Sequence, residues 1–478
     1  MSLRSLIVAN LLLAYATAMS GAETSIYFRS DNGLPAGAGK VPDNLDTGSR
    51  LAWRTQLDSG HSTPIIHAGK IFLTTSRVEN NELATVALDA ATGRVLWTAK
   101  LPVPKIEEVH PEEGNGAMAT PATDGERLFV FFGSHGLICY DLNGKLLWDA
   151  PLGPFRDEYG AASSPVIVGD KIILNQDHDI DSFLMALDRS TGRVLWKTVR
   201  PDAVRSYATP SLWTQNGKQQ LLVAGALELA AYDPSNGEKL WWVNGLARIV
   251  IPTPLANGDT IYMASWAPGG DAGQRLSLVS WPQALEKWDK NKDGRLAKDE
   301  IQDREVVSRF FRMDLDQSGL LDQKEWEAHA EVFRRAQNAL LALQPKGRGN
   351  LTDSALLWNY QRGIPYVASP LLHNGILWLV KDGGLATKLD AATGQLLQQE
   401  RLPATGNYYA SPVAADGKIY FASESGVLAI AADERDWRII SSHPFKEKIY
   451  ATPLIHENRL YIRTEKALYC FERKDEVQ

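Results

Sequence analysis

Short apolar runs alternate with turn residues along most of the chain, most clearly between Ser164 and Trp196. The turns in this segment contain Gly169 and the sequence Asp188-Arg-Ser-Thr-Gly192. The apolar runs cover residues 165–168, 172–174, 184–187 and 194–196. No helical period fits these runs, whereas short apolar runs bounded by turn residues are typical of β-strands. The segment therefore predicts four short strands.

The same unit recurs along the chain, and each copy begins with Ser or Thr followed by Pro. The eight copies begin at Thr63, Thr120, Ser164, Thr209, Thr253, Ser369, Ser411 and Thr452. Their prolines are 57, 44, 45, 44, 116, 42 and 41 residues apart, so one large insertion follows the fifth copy. A repeat of this length is typical of a solenoid, a propeller or an array.

The turn before the fourth strand has residue types with predictable roles. An Asp in this position can accept backbone N–H bonds, and the Gly that follows can adopt positive φ. In four copies a Trp stands four residues after the Gly, at Trp97, Trp148, Trp196 and Trp241. We predict that these tryptophans pack between neighbouring sheets.

The unit as a whole resembles a known family. The order Ser/Thr-Pro, Gly-x-x-Tyr/Phe and Ala-Leu-Asp-x-x-Thr-Gly-x-x-x-Trp is similar to the blade of the pyrroloquinoline quinone (PQQ)-like β-propellers, over about residues 50 to 472. That family includes quinoprotein alcohol dehydrogenases and the propeller lipoprotein of the outer-membrane protein assembly machinery. The resemblance implies an all-β fold, an eight-bladed β-propeller of four-stranded blades. Two copies depart from the pattern, since Gln398 replaces the Trp of the sixth and Asp433–Trp437 replaces the Gly turn of the seventh.

The first strand of the ring is predicted to close it. The sequence Leu51-Ala-Trp53 resembles the fourth strand of a blade, but no first three strands precede it. The eighth copy ends near Phe471 without a fourth strand. Pairing the two would remove two exposed sheet edges.

The insertion contains two twelve-residue segments that match the EF-hand calcium loop, Asp289–Glu300 and Asp314–Glu325. Such a loop places oxygen side chains at positions 1, 3 and 5, Gly at position 6 and Glu at position 12. The predicted ligands are Asp289, Asn291, Asp293, Arg295 and Glu300 in the first loop and Asp314, Asp316, Ser318, Leu320, Asp322 and Glu325 in the second. Arg295 and Leu320 would contribute backbone carbonyls. The alternative is an acidic helical segment that binds no metal.

Helices are predicted around these loops. A capping box at Ser280-Trp-Pro-Gln283 opens the first, a shared helix carries Ile301, Val306 and Phe310, and a third follows Trp326. Strand-like runs resume at Leu340. The insertion therefore covers residues 267–337, between the second and third strands of blade five.

A candidate ligand rim lies on the face where one blade connects to the next. Aromatic and cationic residues recur there, and the set we single out is Arg205, Tyr207, Tyr366, Tyr409 and Tyr450. Such a set would suit an anionic glycan, a peptide carboxylate or an acidic protein segment. The alternative is that the tyrosines fill the tapering top of the core.

The ends of the chain are predicted to lie outside the propeller. An apolar run from Leu6 to Ala16 after Arg4 predicts a cleaved signal peptide, residues 1–22, and hence an exported, periplasmic or secreted protein. No other run could span a bilayer, and no Cys follows this one for lipoprotein attachment. Residues 23–50 form an extended leader, residues 51–266 and 338–472 the propeller, and residues 473–478 a tail. A net charge of −7 gives no basic field for nucleic acid.

Two functional classes follow from these observations. The resemblance to quinoprotein dehydrogenases implies a pair of adjacent cysteines, a calcium site and a catalytic Asp in the channel. The chain contains only Cys139 and Cys470, a whole blade apart by the repeats, and we predict two small buried thiols rather than a disulfide. We therefore favour a monomeric calcium-binding module with a protein, peptide or glycan partner at the channel mouth, without PQQ. A PQQ-dependent dehydrogenase is the alternative.

Overall fold

A computed structural model describes residues 26–35, 37–45, 50–107, 109–155, 157–178, 181–201, 203–271, 278–434 and 436–473. The predicted signal peptide lies outside these residues. Within them, eight sheets of four or five strands follow one another along the chain. The protein is an all-β, eight-bladed propeller of four-stranded blades with a few short helices.

Strand β1 (Leu51–Gln56) comes first, and blades one to four follow it in chain order. Blade one contains β2 (Ile65–His67), β3 (Lys70–Arg77), β4 (Glu82–Asp89) and β5 (Val95–Pro102). Blade two contains β6 (Ala122–Thr123), β7 (Arg127–Phe131), β8 (Leu137–Asp141) and β9 (Leu146–Ala150). Blade three contains β10 (Val166–Val168), β11 (Lys171–Gln176), β12 (Phe183–Asp188) and β13 (Val194–Val199). Blade four contains β14 (Ser211–Gln215), β15 (Lys218–Gly225), β16 (Glu228–Tyr232) and β17 (Lys239–Asn244).

The remaining blades follow the same order, with the insertion inside the fifth. Blade five contains β18 (Leu255–Asn257), β19 (Thr260–Ser265), β22 (Ala339–Leu343) and β24 (Leu356–Tyr360). Blade six contains β25 (Leu371–His373), β26 (Ile376–Lys381), β27 (Leu385–Asp390) and β28 (Leu396–Arg401). Blade seven contains β29 (Val413–Ala415), β30 (Lys418–Ala422), β31 (Val427–Ala432) and β32 (Ile439–Pro444). Blade eight contains β33 (Leu454–His456), β34 (Arg459–Arg463) and β35 (Ala467–Glu472).

The outermost strand of blade eight comes from the other end of the chain. β1 pairs antiparallel with β35, with Trp53 opposite Cys470. The sheet order is therefore β1, β35, β34 and β33. This pairing joins the first strand of the ring to its last blade.

The turn and the Trp of each repeat act together at the blade junctions. Trp148 in blade two packs on Gly192 in blade three, where an added Cβ would stand 2.5 Å from the indole ring. Its Nε1 donates a hydrogen bond to the Arg189 carbonyl at 3.3 Å. The same packing joins Trp53 to Gly93, Trp97 to Gly144, Trp196 to Gly237 and Trp358 to Gly394. The prediction that the repeat tryptophans pack between sheets is confirmed for Trp97, Trp148 and Trp196, and Trp53 and Trp358 pack in the same way.

The same tryptophans explain the two cysteines. Each Trp stands opposite a small residue in the third strand of its own blade, as Trp97 does opposite Ala87 and Trp196 opposite Ala186. Cys139 takes this place opposite Trp148, and Cys470 opposite Trp53. Both thiols are free and buried, as predicted.

Among the remaining junctions, two use different contacts. Trp241 of blade four is 2% exposed and donates to Gln220 Oε1 at 2.8 Å within its own blade. The short strand β23 (Gly349–Asn350) pairs in parallel beside it, and the helical turn Thr352–Ala355 follows. At the junction of blades six and seven, Gln398 Oε1 accepts a hydrogen bond from the Trp437 backbone at 3.3 Å, so the amide replaces the missing indole contact.

The leader crosses the ring beneath the inner strands. The Ile26 carbonyl accepts from Thr123 N in blade two at 2.8 Å. Arg29 donates to the Pro370 carbonyl in blade six at 2.7 Å, and the Gly33 carbonyl accepts from Ala414 N in blade seven at 2.9 Å. The described part of the leader therefore spans the inner ring from blade two to blade seven.

The insertion leaves blade five after β19 and returns at β22. It contains α1 (Trp281–Trp288), α2 (Arg304–Met313) and α3 (Gln323–Arg335). The Asn338 side chain closes its base, since it accepts from Ala267 N at 2.9 Å and donates to the Ala267 carbonyl at 3.1 Å. The second helix begins later than the apolar pattern predicts, because the Asp303 carboxylate caps it by accepting from Glu305 N.

Candidate functional site

The Ser or Thr that begins each repeat joins neighbouring blades at the channel wall. The backbone N–H of Thr120 donates to Ser164 Oγ at 3.0 Å, and that of Ser164 donates to Thr209 Oγ1 at 3.0 Å. Bonds of the same kind join Thr63 to Thr120, Thr253 to Ser369, Ser369 to Ser411, Ser411 to Thr452 and Thr452 to Thr63. These hydroxyls are therefore part of the ring structure, a role that the sequence analysis did not assign to them.

A cavity of about 150 Å³ lies in the channel inside this ring. Four of the five predicted rim residues line it: Tyr207, Tyr366, Tyr409 and Tyr450. Tyr207 is buried at 5% exposure, whereas the other three are half-buried. The structure thus brings the predicted tyrosines together and leaves three of them accessible from the mouth.

An aromatic stack forms one side of the mouth. The ring centres of His61 and Tyr450 are 3.8 Å apart and the rings are nearly parallel, and the Tyr409 ring stacks with that of Tyr450 at 5.4 Å. Burial lowers the pKa of His61 to about 3, an effect to which the nearby cations Arg463 and Lys448 add. The imidazole is therefore neutral near pH 7 and acts as an aromatic surface.

The connection between blades one and two, residues 103–121, lies across the mouth. Its Glu113 carboxylate accepts a hydrogen bond from the Tyr409 hydroxyl at 2.8 Å. Its Glu112 carbonyl accepts from the Tyr450 hydroxyl at 3.1 Å. The loop begins beside blade one and reaches blades seven and eight, so it covers part of the channel. The sequence signals this loop only by the step of 57 residues between the first two prolines.

The charge of the mouth is acidic. Glu113 is the one formally charged side chain among the described residues that line the cavity. Burial raises the pKa of Tyr409 above its usual range, and its hydrogen bond to Glu113 adds to the effect. Burial likewise raises the pKa of Tyr366 to about 12. Glu424 lies nearby and accepts from Lys448 Nζ at 2.8 Å.

Arg205 does not lie with the tyrosines. It is 4% exposed and forms an ion pair with Glu158, which also accepts from Arg312 of the insertion at 2.8 Å. It lines a second cavity between the insertion and the propeller. The predicted combination of a cation with aromatic rings is thus separated into two sites, because Glu158 holds the guanidinium away from the channel.

The first predicted calcium loop folds around its own carboxylates. Glu300 accepts from Lys290 N at 3.1 Å and from Ala297 N at 2.9 Å. Asp289 accepts from Gly294 N at 3.0 Å. The other predicted ligands of this loop, Asn291, Asp293 and Arg295, are exposed.

The second loop repeats these contacts at equivalent positions. Glu325 accepts from Leu315 N at 2.7 Å and from Asp322 N at 3.1 Å, and Asp314 accepts from Gly319 N at 2.9 Å. The glycines at position 6 of the two loops, Gly294 and Gly319, both have φ of 79°. Strands β20 (Leu296–Ala297) and β21 (Leu320–Leu321) pair the loops antiparallel.

Oxygen atoms converge in the second loop as a hard cation would require. One carboxylate oxygen each from Asp314, Asp316 and Glu325 lies within 4.8 Å of the others. Asp314 Oδ1 is buried without a hydrogen-bond partner. Calcium takes six to eight oxygen ligands, and Ser318, Leu320 and Asp322 lie in the same loop. The residues present therefore fit calcium.

Comparison with known proteins identifies the family. The family model of the outer membrane protein assembly factor BamB matches residues 80–265 and 329–476, well over half of the chain. The chain belongs to this family. The unmatched residues between the two ranges fall within or beside the insertion, so the BamB family match is to the propeller.

Solved structures show the same fold at low identity. BamB from Moraxella catarrhalis superposes with a TM-score of 0.54 at 13% identity, covering 88% of this chain and 99% of that one. Quinohemoprotein alcohol dehydrogenase ADHIIG from Pseudomonas putida HK5 superposes with a TM-score of 0.52 at 12% identity, covering 92% of this chain and 79% of that one. These likenesses concern the fold alone.

One relative matched by sequence carries the name of an enzyme. Quinohemoprotein alcohol dehydrogenase ADH IIB from Pseudomonas putida is 28% identical over 202 residues. The match covers 38% of this chain and 28% of that protein. The chain thus matches under a third of that relative's length.

None of the described helices is long and apolar enough to cross a membrane.

Proposed function

We propose that this chain is an exported, calcium-binding propeller of the BamB family that binds a segment of a protein partner at its channel mouth. The observation that carries the proposal is the set of half-buried rings, Tyr366, Tyr409 and Tyr450, around a concave opening. Concave sites lined by aromatic side chains with few polar groups are the usual positions of ligands. The described relatives include an outer membrane protein assembly factor, which favours a protein partner.

The charge of the mouth favours a neutral or basic segment. Lys448 pairs with Glu424 at the opening, which leaves the Glu113 carboxylate as the one charged group among the described residues that line the cavity, whereas Arg205 lies outside it. A Lys or Arg side chain could contact the tyrosine rings through cation–π interactions and pair with Glu113. An acidic segment, which the sequence alone suggested, would meet this carboxylate instead.

Calcium binding at the insertion is the second part of the proposal. It is supported by the two matching loops, their pairing through β20 and β21, and the unpartnered Asp314 Oδ1. The tethered base of the insertion, where Asn338 pairs with Ala267, argues for a structural role. We infer that calcium orders this segment rather than opening a groove, in contrast to sensor EF-hands.

The dehydrogenase alternative has less support. PQQ carries three carboxylate groups, and the one charged side chain among the described lining residues is itself a carboxylate. Cys139 and Cys470 are in different blades and form no adjacent pair. We therefore do not expect PQQ as a cofactor.

The partner proposal is tested by capture from extracts of exported proteins, using Tyr366→Ala and Tyr450→Ala. Both variants should lose a partner that the wild type retains, with a melting temperature close to that of the wild type. Tyr360→Ala is the matched control, because this half-buried tyrosine lies on the outer strand β24. It should capture the partner normally.

A different result would relocate the site. If the two mouth variants melt far below the wild type and the folded fraction still captures the partner, the tyrosines are core residues. The binding surface would then lie elsewhere on the protein.

A further inference from the structure

A second cavity, of about 530 Å³, lies between the insertion and blades three and four. On the propeller side it is lined by the Ala226–Leu227 turn and by the connection that contains Arg248. On the other side it is lined by α3, from Lys324 to Arg335. Its volume falls within the roughly 300–1,000 Å³ typical of sites for small molecules. We call it the arginine cavity.

Arg248 has an unusual environment in the arginine cavity. Its Nε donates to the Pro268 carbonyl at 3.1 Å, and its guanidinium lies 5.4 Å from the centre of the Phe333 ring. No carboxylate of the described residues forms an ion pair with it. A partly buried cation without a carboxylate costs stability unless an anion compensates it.

Other cations surround Arg248 and increase this excess. Arg309, which pairs with Glu305 at 3.6 Å, lies over the same Phe333 ring at 4.9 Å. Arg205 and Arg312 share a single carboxylate, Glu158. Burial, together with these three arginines, lowers the pKa of Arg248 to about 10. The field in this part of the cavity is therefore positive.

A histidine supplies an unused polar atom at the same place. His329 lines the cavity on α3, and its Nε2 is buried without a hydrogen-bond partner. Burial, with a contribution from Arg309, Arg248 and Arg312, lowers the pKa of His329 to about 3. The ring is thus neutral and can donate one hydrogen bond without adding charge.

Apolar residues form part of the wall, beside charged residues that include Glu228, Lys239, Lys324, Glu325 and Glu331. Ala226 and Leu227 pack against the insertion, with Val332 partly buried beside them. Ile249 and Phe333 also line the cavity. A ligand that filled this volume would therefore need an apolar body as well as a charged group.

We propose that the arginine cavity binds a small organic anion, a carboxylate or phosphate monoester attached to an apolar group, with its anionic oxygens toward Arg248 and His329. Charge-assisted hydrogen bonds to a guanidinium are among the strongest polar contacts in proteins. The apolar group would replace water along Leu227, Ile249 and Phe333. The site is separate from the channel mouth, so it stands or falls independently of the partner proposed there.

Calorimetry on the full-length protein in excess calcium tests this proposal with four probes: phenyl phosphate, benzoate, acetate and benzyl alcohol. At least one of the aromatic anions should bind saturably, and the comparison of phenyl phosphate with benzoate identifies the preferred head group. Benzyl alcohol, which lacks the charge, and acetate, which lacks the ring, should each bind at least about tenfold more weakly. If either of these two probes bound as tightly as the aromatic anion, the proposed class of ligand would be contradicted.

Two variants locate the binding. Arg248→Gln should weaken binding of the aromatic anion by about tenfold or more. Arg54→Gln makes the same change in an arginine of strand β1 that pairs with Glu447, and it should leave binding unchanged. Ala328→Trp fills the cavity from an exposed position on α3, so it should block binding even if Arg248→Gln does not fold. The proposal is overturned if neither aromatic anion binds, or if the Ala328→Trp variant binds the aromatic anion with the affinity of the wild type.

Discussion

Gly192 shows how one residue type satisfies two constraints at a blade junction. Its φ is 71°, a region that costs an L-residue roughly 1–2 kcal/mol. Its missing side chain also leaves room for the Trp148 ring of the preceding blade. The Asp and Thr of the turn contribute through hydrogen bonds, as Asp188 Oδ1 accepts from Thr191 N at 2.8 Å. The repeated Asp-x-x-Thr-Gly sequence is thus explained by turn geometry and packing.

Substitution of two glycines in blade three separates these constraints. Gly169 has φ of 58° and nothing within 4 Å of an added Cβ, so Gly169→Ala should show only the backbone cost. Gly192→Ala should show that cost plus about 1–3 kcal/mol for displacing Trp148. The midpoints of urea unfolding measure the difference. Equal midpoints for the two variants would show that the Trp148 ring moves at no cost.

At this scale the sequence predicts residues whose partners are close in the repeat. The Asp, Gly and Trp positions repeat, and their contacts follow from the turn and from the next blade. Arg205 could not be placed in this way, because its partner Glu158 is 47 residues earlier and is shared with Arg312 of the insertion. Glu113 was not selected at all, since it lies in a connection without periodicity and meets Tyr409 from 296 residues away.

The insertion is the element whose sequence gives most chemical detail. Its three helices pack around Trp281, Trp288 and Trp326, with ring centres 5.8–5.9 Å apart. This small core holds both loops in the same conformation, as the matching hydrogen bonds of Glu300 and Glu325 show. The sequence predicts calcium ligands there because the position of each residue in the loop assigns its role. The contacts of α3 with the propeller could not be predicted, because they depend on side chains from blade four.

Calorimetric titration should detect two calcium ions bound by the insertion, with dissociation constants in the roughly 0.1–1 mM range of extracellular modules. The second loop should bind at least as tightly as the first, because it has Asp322 at position 9 where the first has Ala297. Glu325→Gln should remove one site and Glu300→Gln the other, so each variant is the control for its partner. An absence of binding at about 10 mM calcium would exclude the prediction.

At the scale of the whole molecule, the two ends of the channel are covered by different parts of the chain. Phe28 of the leader lines the channel cavity, and the leader crosses the ring from blade two to blade seven. The loop of residues 103–121 reaches Tyr409 and Tyr450 across the mouth. The repeat predicted eight blades and a channel. It could not predict these two segments, since each lies outside the repeated pattern.

This closure leads to a prediction about the quinone. The cavity of about 150 Å³ is smaller than the roughly 300–1,000 Å³ of typical small-molecule sites, and Glu113 would repel a tricarboxylate. We therefore expect that the purified protein, incubated with PQQ and calcium, shows no dye-linked oxidation of alcohols or aldose sugars. Glu113→Gln should not restore activity, because removing one charge leaves the volume unchanged. A quinone absorbance that co-purifies with the chain, or turnover after reconstitution, would instead mean that the leader and the loop move aside to admit the cofactor, and the dehydrogenase alternative would then be favoured.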